Sequence, residues 1–196
     1  MAVYTKINRS DLTSINRKFN FENFQSFKGI KQGIENTNYL LRSKNKKFIL
    51  TIFEKRVVKK EIPFFMKLMD QLSNLNINCP KPLKNNRGNY LIRVKNKISC
   101  VVTFLDGKDK KKLNLKNCFD IGKTIAQIHL STKKLKLYRK NSMGIKNLNP
   151  LLNSIKFKSK KFISLEKFLK NNLQDIKDKW PKKLPSGIIH GDLFID

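Results

Sequence analysis

Cysteine and histidine are scarce in this chain. The three cysteines, Cys79, Cys100 and Cys118, are odd in number, far apart and in no metal-ligand spacing, so neither a disulfide framework nor a zinc site is suggested and buried thiols are the plain expectation. With two histidines a His-based metal cluster is excluded, and any metal would be held by carboxylate, amide and phosphate oxygens. No apolar run approaches the roughly 20 residues that cross a bilayer. The opening Met1-Ala2-Val3-Tyr4-Thr5-Lys6 lacks the apolar stretch of a secretory leader, so the expected compartment is the cytoplasm, with no membrane partner.

Acidic residues and alanine are the other shortages. Fourteen Asp and Glu face 43 Lys and Arg, for a formal net charge of +29, and alanine occurs only at Ala2 and Ala126. Such a charge ordinarily points to a nucleic-acid partner through phosphate neutralisation. Here the lysines run along the whole chain, at 44–47, 108–112, 133–140, 156–161 and 182–183, and gather into no single arm. Lys and Asn at the expense of Ala and Gly is what an AT-rich coding sequence would produce, which offers an origin outside function for much of the charge. The expectation is no nucleic-acid partner.

What is present suffices for a folded domain: 196 residues with 39% hydrophobic content. A first helix is expected from Ser10-Asp11, through Leu12, Ile15 and Phe19. Short apolar or alternating runs at Phe24 to Gly29, Tyr39 to Arg42 and Phe48 to Phe53 predict an antiparallel meander, with Gly33 to Asn38 as the turn between the first two strands. Ile62, Phe65, Met66, Met69 and Leu72 recur at helical spacing behind Pro63. Two more strands are predicted at Asn89 to Arg93 and Ile98 to Phe104. After Leu105-Asp106-Gly107 the period becomes 3.6, with stripes at Cys118, Ile121, Ile125, Ile128 and at Leu165, Phe168, Leu169, Leu173, Ile176; a shorter helix is expected from a cap at Asn149 and Pro150 to about Phe157. No repeat or heptad series appears, and the sequence sets no oligomeric state. The expected organisation is a β-rich lobe over 1–105 and a helical lobe over 106–196.

The residues that carry chemistry are the last seven. Ile188 and Ile189 bring the chain out of a core, Gly191 lets the backbone bend, and His190-Gly191-Asp192 then reads as the front half of a kinase-type catalytic loop. There the Asp receives the proton of a substrate hydroxyl and an Asn five residues on binds magnesium. The plain alternative is a solvated loop Asp.

In the order of its elements and in several blocks the chain resembles the aminoglycoside phosphotransferase and choline kinase superfamily, and more narrowly its bacterial homoserine kinase branch. The blocks are Met1-Ala2-Val3-Tyr4-Thr5, Ser26 to Ile30 with Gly33 to Leu41, Phe48 to Arg56, and Leu184 to Phe194. The resemblance implies an α+β, protein-kinase-like two-lobed fold, with the β-rich lobe whole and the helical lobe cut after the start of the catalytic loop. It implies ATP and Mg2+ as cofactors and transfer of phosphate to the hydroxyl of homoserine, a step toward threonine. It places the magnesium ligands beyond Asp196, so none is expected here, and the chain alone is expected to be inactive and poorly soluble.

The same resemblance distributes roles. Asp192 is the catalytic base and His190 supports its loop. Gly33, Asn36 and Asn38 belong to an ATP-binding turn, although a plain β-turn uses the same residues. Thr51 stands where many relatives carry Lys or Arg, so Lys55, two positions along on the same side of the strand, is taken as the ATP-binding cation, with a solvated strand-end lysine as the alternative. Glu61 could orient that cation, while the helix macrodipole explains it equally. Thr103 to Leu105 would meet the adenine edge through backbone. His129 is expected to be packed. Competing readings are a kinase of the same fold for choline, an aminoglycoside or a methylthio-sugar, and, from another class, a basic nucleic-acid-binding module.

Overall fold

A computed structural model describes residues 3–19, 23–54, 57–108, 110–142, 144–155 and 160–194. The chain divides into two compact units, one of residues 1–137 with 188–196 and one of residues 138–187.

The first unit opens with an extended strap, residues 3–8, and the helix α1 (Arg9–Asn16). Five strands follow, β1 (Ser26–Gly29), β2 (Thr37–Arg42), β3 (Lys47–Ile52), β4 (Leu91–Val94) and β5 (Lys97–Thr103), with α2 (Ile62–Asn74) between β3 and β4 and α3 (Leu115–Thr132) after β5. All neighbouring pairs are antiparallel, in the order β1-β2-β3-β5-β4. The last strand is therefore inserted beside β3, because the crossover through α2 carries β4 to the far edge, and the sheet is not the simple meander that the order of strands suggests. Lys95 and Asn96 both have positive φ, +48° and +61°, the primed turn that closes a two-residue hairpin.

Alternation decides the two faces. Tyr39, Leu41, Leu50, Ile52 and Val101 point to one side, where Leu12, Ile15 and Phe19 close the larger core. Leu41, Leu50, Ile52 and Val101 are fully buried there, each worth about 1.5–3 kcal/mol of transfer free energy. Cys100 and Val102 point to the other side, under Ile62 and Met66 of α2. That helix covers only part of its face: Asn38, Leu40, Ile49 and Thr51 remain half-buried.

Local capping corrects two boundaries. The cap of α1 is Asn8, whose side chain accepts from Asp11 N–H at 3.0 Å while Asp11 accepts from Asn8 N–H at 2.8 Å. Asp11, expected at the helix start, is the return partner of this box. In the second unit α4 runs Ile145–Ser154, with Pro150 inside it and Gly144 at its cap. The helix thus starts earlier than Pro150 suggests, and Asn147 Nδ2 in its first turn donates to the Asn141 carbonyl at 2.7 Å. The helix α5 spans Lys160–Asp178 and packs on α4.

On α3, Leu115, Phe119 and Leu130 are exposed, as is Phe168 on α5. His129 is half-buried on α3. Among the described residues no helix is long and apolar enough to cross a membrane.

Candidate functional site

The turn between β1 and β2 is short of apolar anchorage. Residues 31–35 are all exposed, Ile34 among them, so nothing is gained by burying them. Gly33 takes φ +92°, a conformation that side chains other than glycine rarely adopt, and an added Cβ there would come 3.9 Å from Asn38 Nδ2. Hydrogen bonds hold the turn instead. Asn36 Oδ1 accepts from the backbone N–H of Glu54 at 3.2 Å, and Asn38 Oδ1 accepts from the Thr51 hydroxyl at 2.9 Å. Asn38 and Thr51 are register partners on β2 and β3, and with Cys100 on β5 they form one row across the partly open face.

Behind the turn, on the opposite face, lies a polar knot that the sequence reading missed. The Thr37 hydroxyl donates to Glu54 Oε1 at 2.8 Å and accepts from the N–H groups of Tyr4 and Thr5 at 3.0 and 3.1 Å. The Thr5 hydroxyl donates to the same carboxylate oxygen at 2.7 Å and accepts from Lys97 Nζ at 2.7 Å. Lys97 closes the knot with an ion pair to Glu54 Oε2. Burial works to raise the Glu54 carboxyl, but the hydrogen bonds from Lys97, Thr5 and Thr37 and the Lys97 charge outweigh it and hold the group below the ordinary carboxylate range. A signal for this knot was in the pattern: Thr37 and Glu54 occupy inward positions of an alternation whose other members are Tyr39, Leu41, Leu50 and Ile52.

Of the remaining expected residues, Thr103 ends β5, its hydroxyl accepting from Lys81 N–H at 2.9 Å. Phe104 N–H donates to the Lys47 carbonyl at 3.1 Å, and Leu105 follows, partly exposed. Asp106, exposed, pairs with Lys47 Nζ at 2.9 Å. Glu61 closes a short 3-10 turn, Lys59–Glu61, that leads into α2. Lys55 and Asp196 lie outside the described residues.

Gly191 has φ +74°, Asp192 is exposed, and Asp192 N–H donates to His190 Nδ1 at 3.3 Å. The structure thus brings Asn36 and Asn38 together with Thr51 and Glu54, whereas no hydrogen bond or ion pair of Asp192 reaches them. Among the described residues no group of three or more His, Cys, Asp and Glu could hold a metal ion.

The pattern of the phosphotransferase enzyme family matches residues 26–196. Over its whole length the chain is 34% identical to the homoserine kinases of Parvibaculum lavamentivorans and of Beijerinckia indica, of which it covers 61%. It therefore spans about three fifths of the length of these curated relatives. Among solved structures, spectinomycin phosphotransferase in complex with ADP and spectinomycin superposes with a TM-score of 0.61 at 13% identity, over 97% of this chain and 64% of that one. A microcompartment-associated aminopropanol kinase gives 0.63 at 12% identity, over 89% and 58%. The five-stranded sheet with its helices is the fold of these kinases.

Proposed function

From a chain that belongs to the phosphotransferase enzyme family, we propose the nucleotide-binding part and the catalytic-loop start of a cytoplasmic kinase that moves the γ-phosphoryl group of ATP onto the hydroxyl of L-homoserine. The observation that carries this reading is the 34% identity to curated homoserine kinases over all of the chain.

Phosphoryl transfer needs little covalent help from protein; it needs position and countercharge. In the proposed arrangement the turn at Gly33, Asn36 and Asn38 offers backbone N–H groups to the phosphates, and Lys55 supplies a cation that Glu61 orients. Thr103 to Leu105 meet the adenine edge through the main chain, at a boundary between lobes drawn after residue 105. Asp192 takes the proton of the attacking hydroxyl as its oxygen bonds to the γ-phosphorus and ADP leaves, and His190 fixes the loop. Magnesium would accompany the nucleotide.

The test is an assay of the whole protein that carries this chain, with ATP and a panel of hydroxyl acceptors. That protein is expected to phosphorylate L-homoserine in preference to choline, an aminoglycoside or a methylthio-sugar, and Asp192→Asn is expected to lower kcat by about 10²–10⁴-fold. Preference for another acceptor overturns the assignment of homoserine, and full activity of the Asp192 variant overturns the assignment of the base.

A further inference from the structure

We infer that the strap at residues 3–8 is a positioning element for the turn at 33–38, with Glu54 as the residue that couples the two. The inference deepens the proposed function and rests on its reading of that turn as the phosphate cradle.

The strap grips the turn at both ends. At the near end the Tyr4 hydroxyl donates to the Ile34 carbonyl at 2.9 Å. At the far end the N–H groups of Tyr4 and Thr5 both donate to the Thr37 hydroxyl. The strap is itself pinned to the sheet, since the Tyr39 hydroxyl donates to the Thr5 carbonyl at 2.8 Å and accepts from Ile7 N–H at 3.1 Å.

Glu54 decides the direction of these bonds. An ionised carboxylate only accepts, so it takes the single hydrogen of each threonine hydroxyl. Thr37 then has its lone pairs for the two strap amides, and Thr5 has one for Lys97. The same residue, through its backbone N–H, holds Asn36. A glutamine in its place must aim its NH2 either at the hydroxyls or at the Lys97 ammonium, and either choice breaks the knot.

Because residues 31–35 bury nothing, their order depends on this grip. A ligand that uses their amides binds more tightly when they are ordered beforehand. Strap and knot lie on the sheet face opposite Asn38 and Thr51, so they act on a ligand through the turn and need not touch it.

The test uses the chain itself with Tyr4→Phe, Glu54→Gln and, as a destabilising change remote from the turn, Asn85→Ala. Asn85 Oδ1 accepts from Arg87 and Asn89 N–H beside the far edge strand. Amide hydrogen exchange without ligand reads the grip, and titration with Mg·ADP reads its consequence. Tyr4 is largely exposed, so Tyr4→Phe leaves the fold intact, speeds exchange at 33–38 and weakens Mg·ADP about threefold to tenfold. Glu54→Gln weakens it about tenfold or more, and Asn85→Ala changes neither readout. Faster exchange with unchanged affinity overturns the inference and leaves the nucleotide reading standing. No binding of Mg·ADP by the unsubstituted chain overturns that reading and the inference with it. An effect of Asn85→Ala equal to that of Tyr4→Phe shows general loosening and also overturns the inference.

Discussion

The Thr51 hydroxyl donates to Asn38 Oδ1 at 2.9 Å, joining the end of β3 to the start of β2 on the sheet face that α2 leaves partly open. The position read from the sequence as a departure from the expected strand cation thus holds a side chain that fixes the turn's last residue. Thr51→Val keeps the shape and removes the donor. It is expected to lower unfolding free energy by about 0.5–1.5 kcal/mol in urea titration, and to weaken Mg·ADP. Unchanged stability and affinity would show that the bond contributes nothing.

Acid should act through Glu54. Its folded pKa is lowered, so the stability it contributes is fully present above the ordinary value of about 4.5 and is lost as pH falls through the folded value. Wild type should therefore lose stability more steeply than Glu54→Gln below about pH 5, the two curves converging toward acid. Parallel curves would mean that the carboxylate carries no such linkage.

Gly29 tests how closely the strap approaches the sheet. A Cβ there would come 3.0 Å from Val3 Cγ2, tighter than ordinary packing. Gly29→Ala is expected to cost about 1–3 kcal/mol, and Val3→Ala in the same chain should restore much of it by opening room. Additive losses in the double variant would place the clash elsewhere.

The thiols should react in order of exposure. Burial pushes Cys100 up to about 12 and raises Cys79, while Cys118 is exposed on α3. With an aromatic disulfide reagent at about pH 8, Cys118 should react first and Cys100 only on unfolding. Labelling of Cys100 at the rate of Cys118 would contradict the packing of β5 under α2.

The sheet was legible in the sequence because alternation at Tyr39 and Leu41, and again at Phe48 and Leu50, is a local signal. The place of β5 between β3 and β4 was not, since strand order depends on where the α2 crossover delivers the chain. The cap at Asn8 is not legible in the sequence, because Ser10 and Asp11 fit a helix start as well, and only the reciprocal bond with Asp11 identifies it. The turn at Gly33 to Asn38 was found from its residue types. Its supports were harder to see: Thr5, Thr37, Glu54 and Lys97 are far apart in sequence and polar, and meet only once the strap lies against the sheet. The alternation shows only that Thr37 and Glu54 face inward; it does not say that Thr5 and Lys97 meet them there.

Nucleotide binding by the first unit at its β1–β2 turn is read from backbone amide shifts as Mg·ADP is added to the chain. Saturable shifts are expected, concentrated at residues 33–38, at Thr51 and at Thr103 to Leu105. Shifts scattered over the lysine-bearing surface, and abolished by moderate salt, would contradict binding at the turn and favour a polyanion binder.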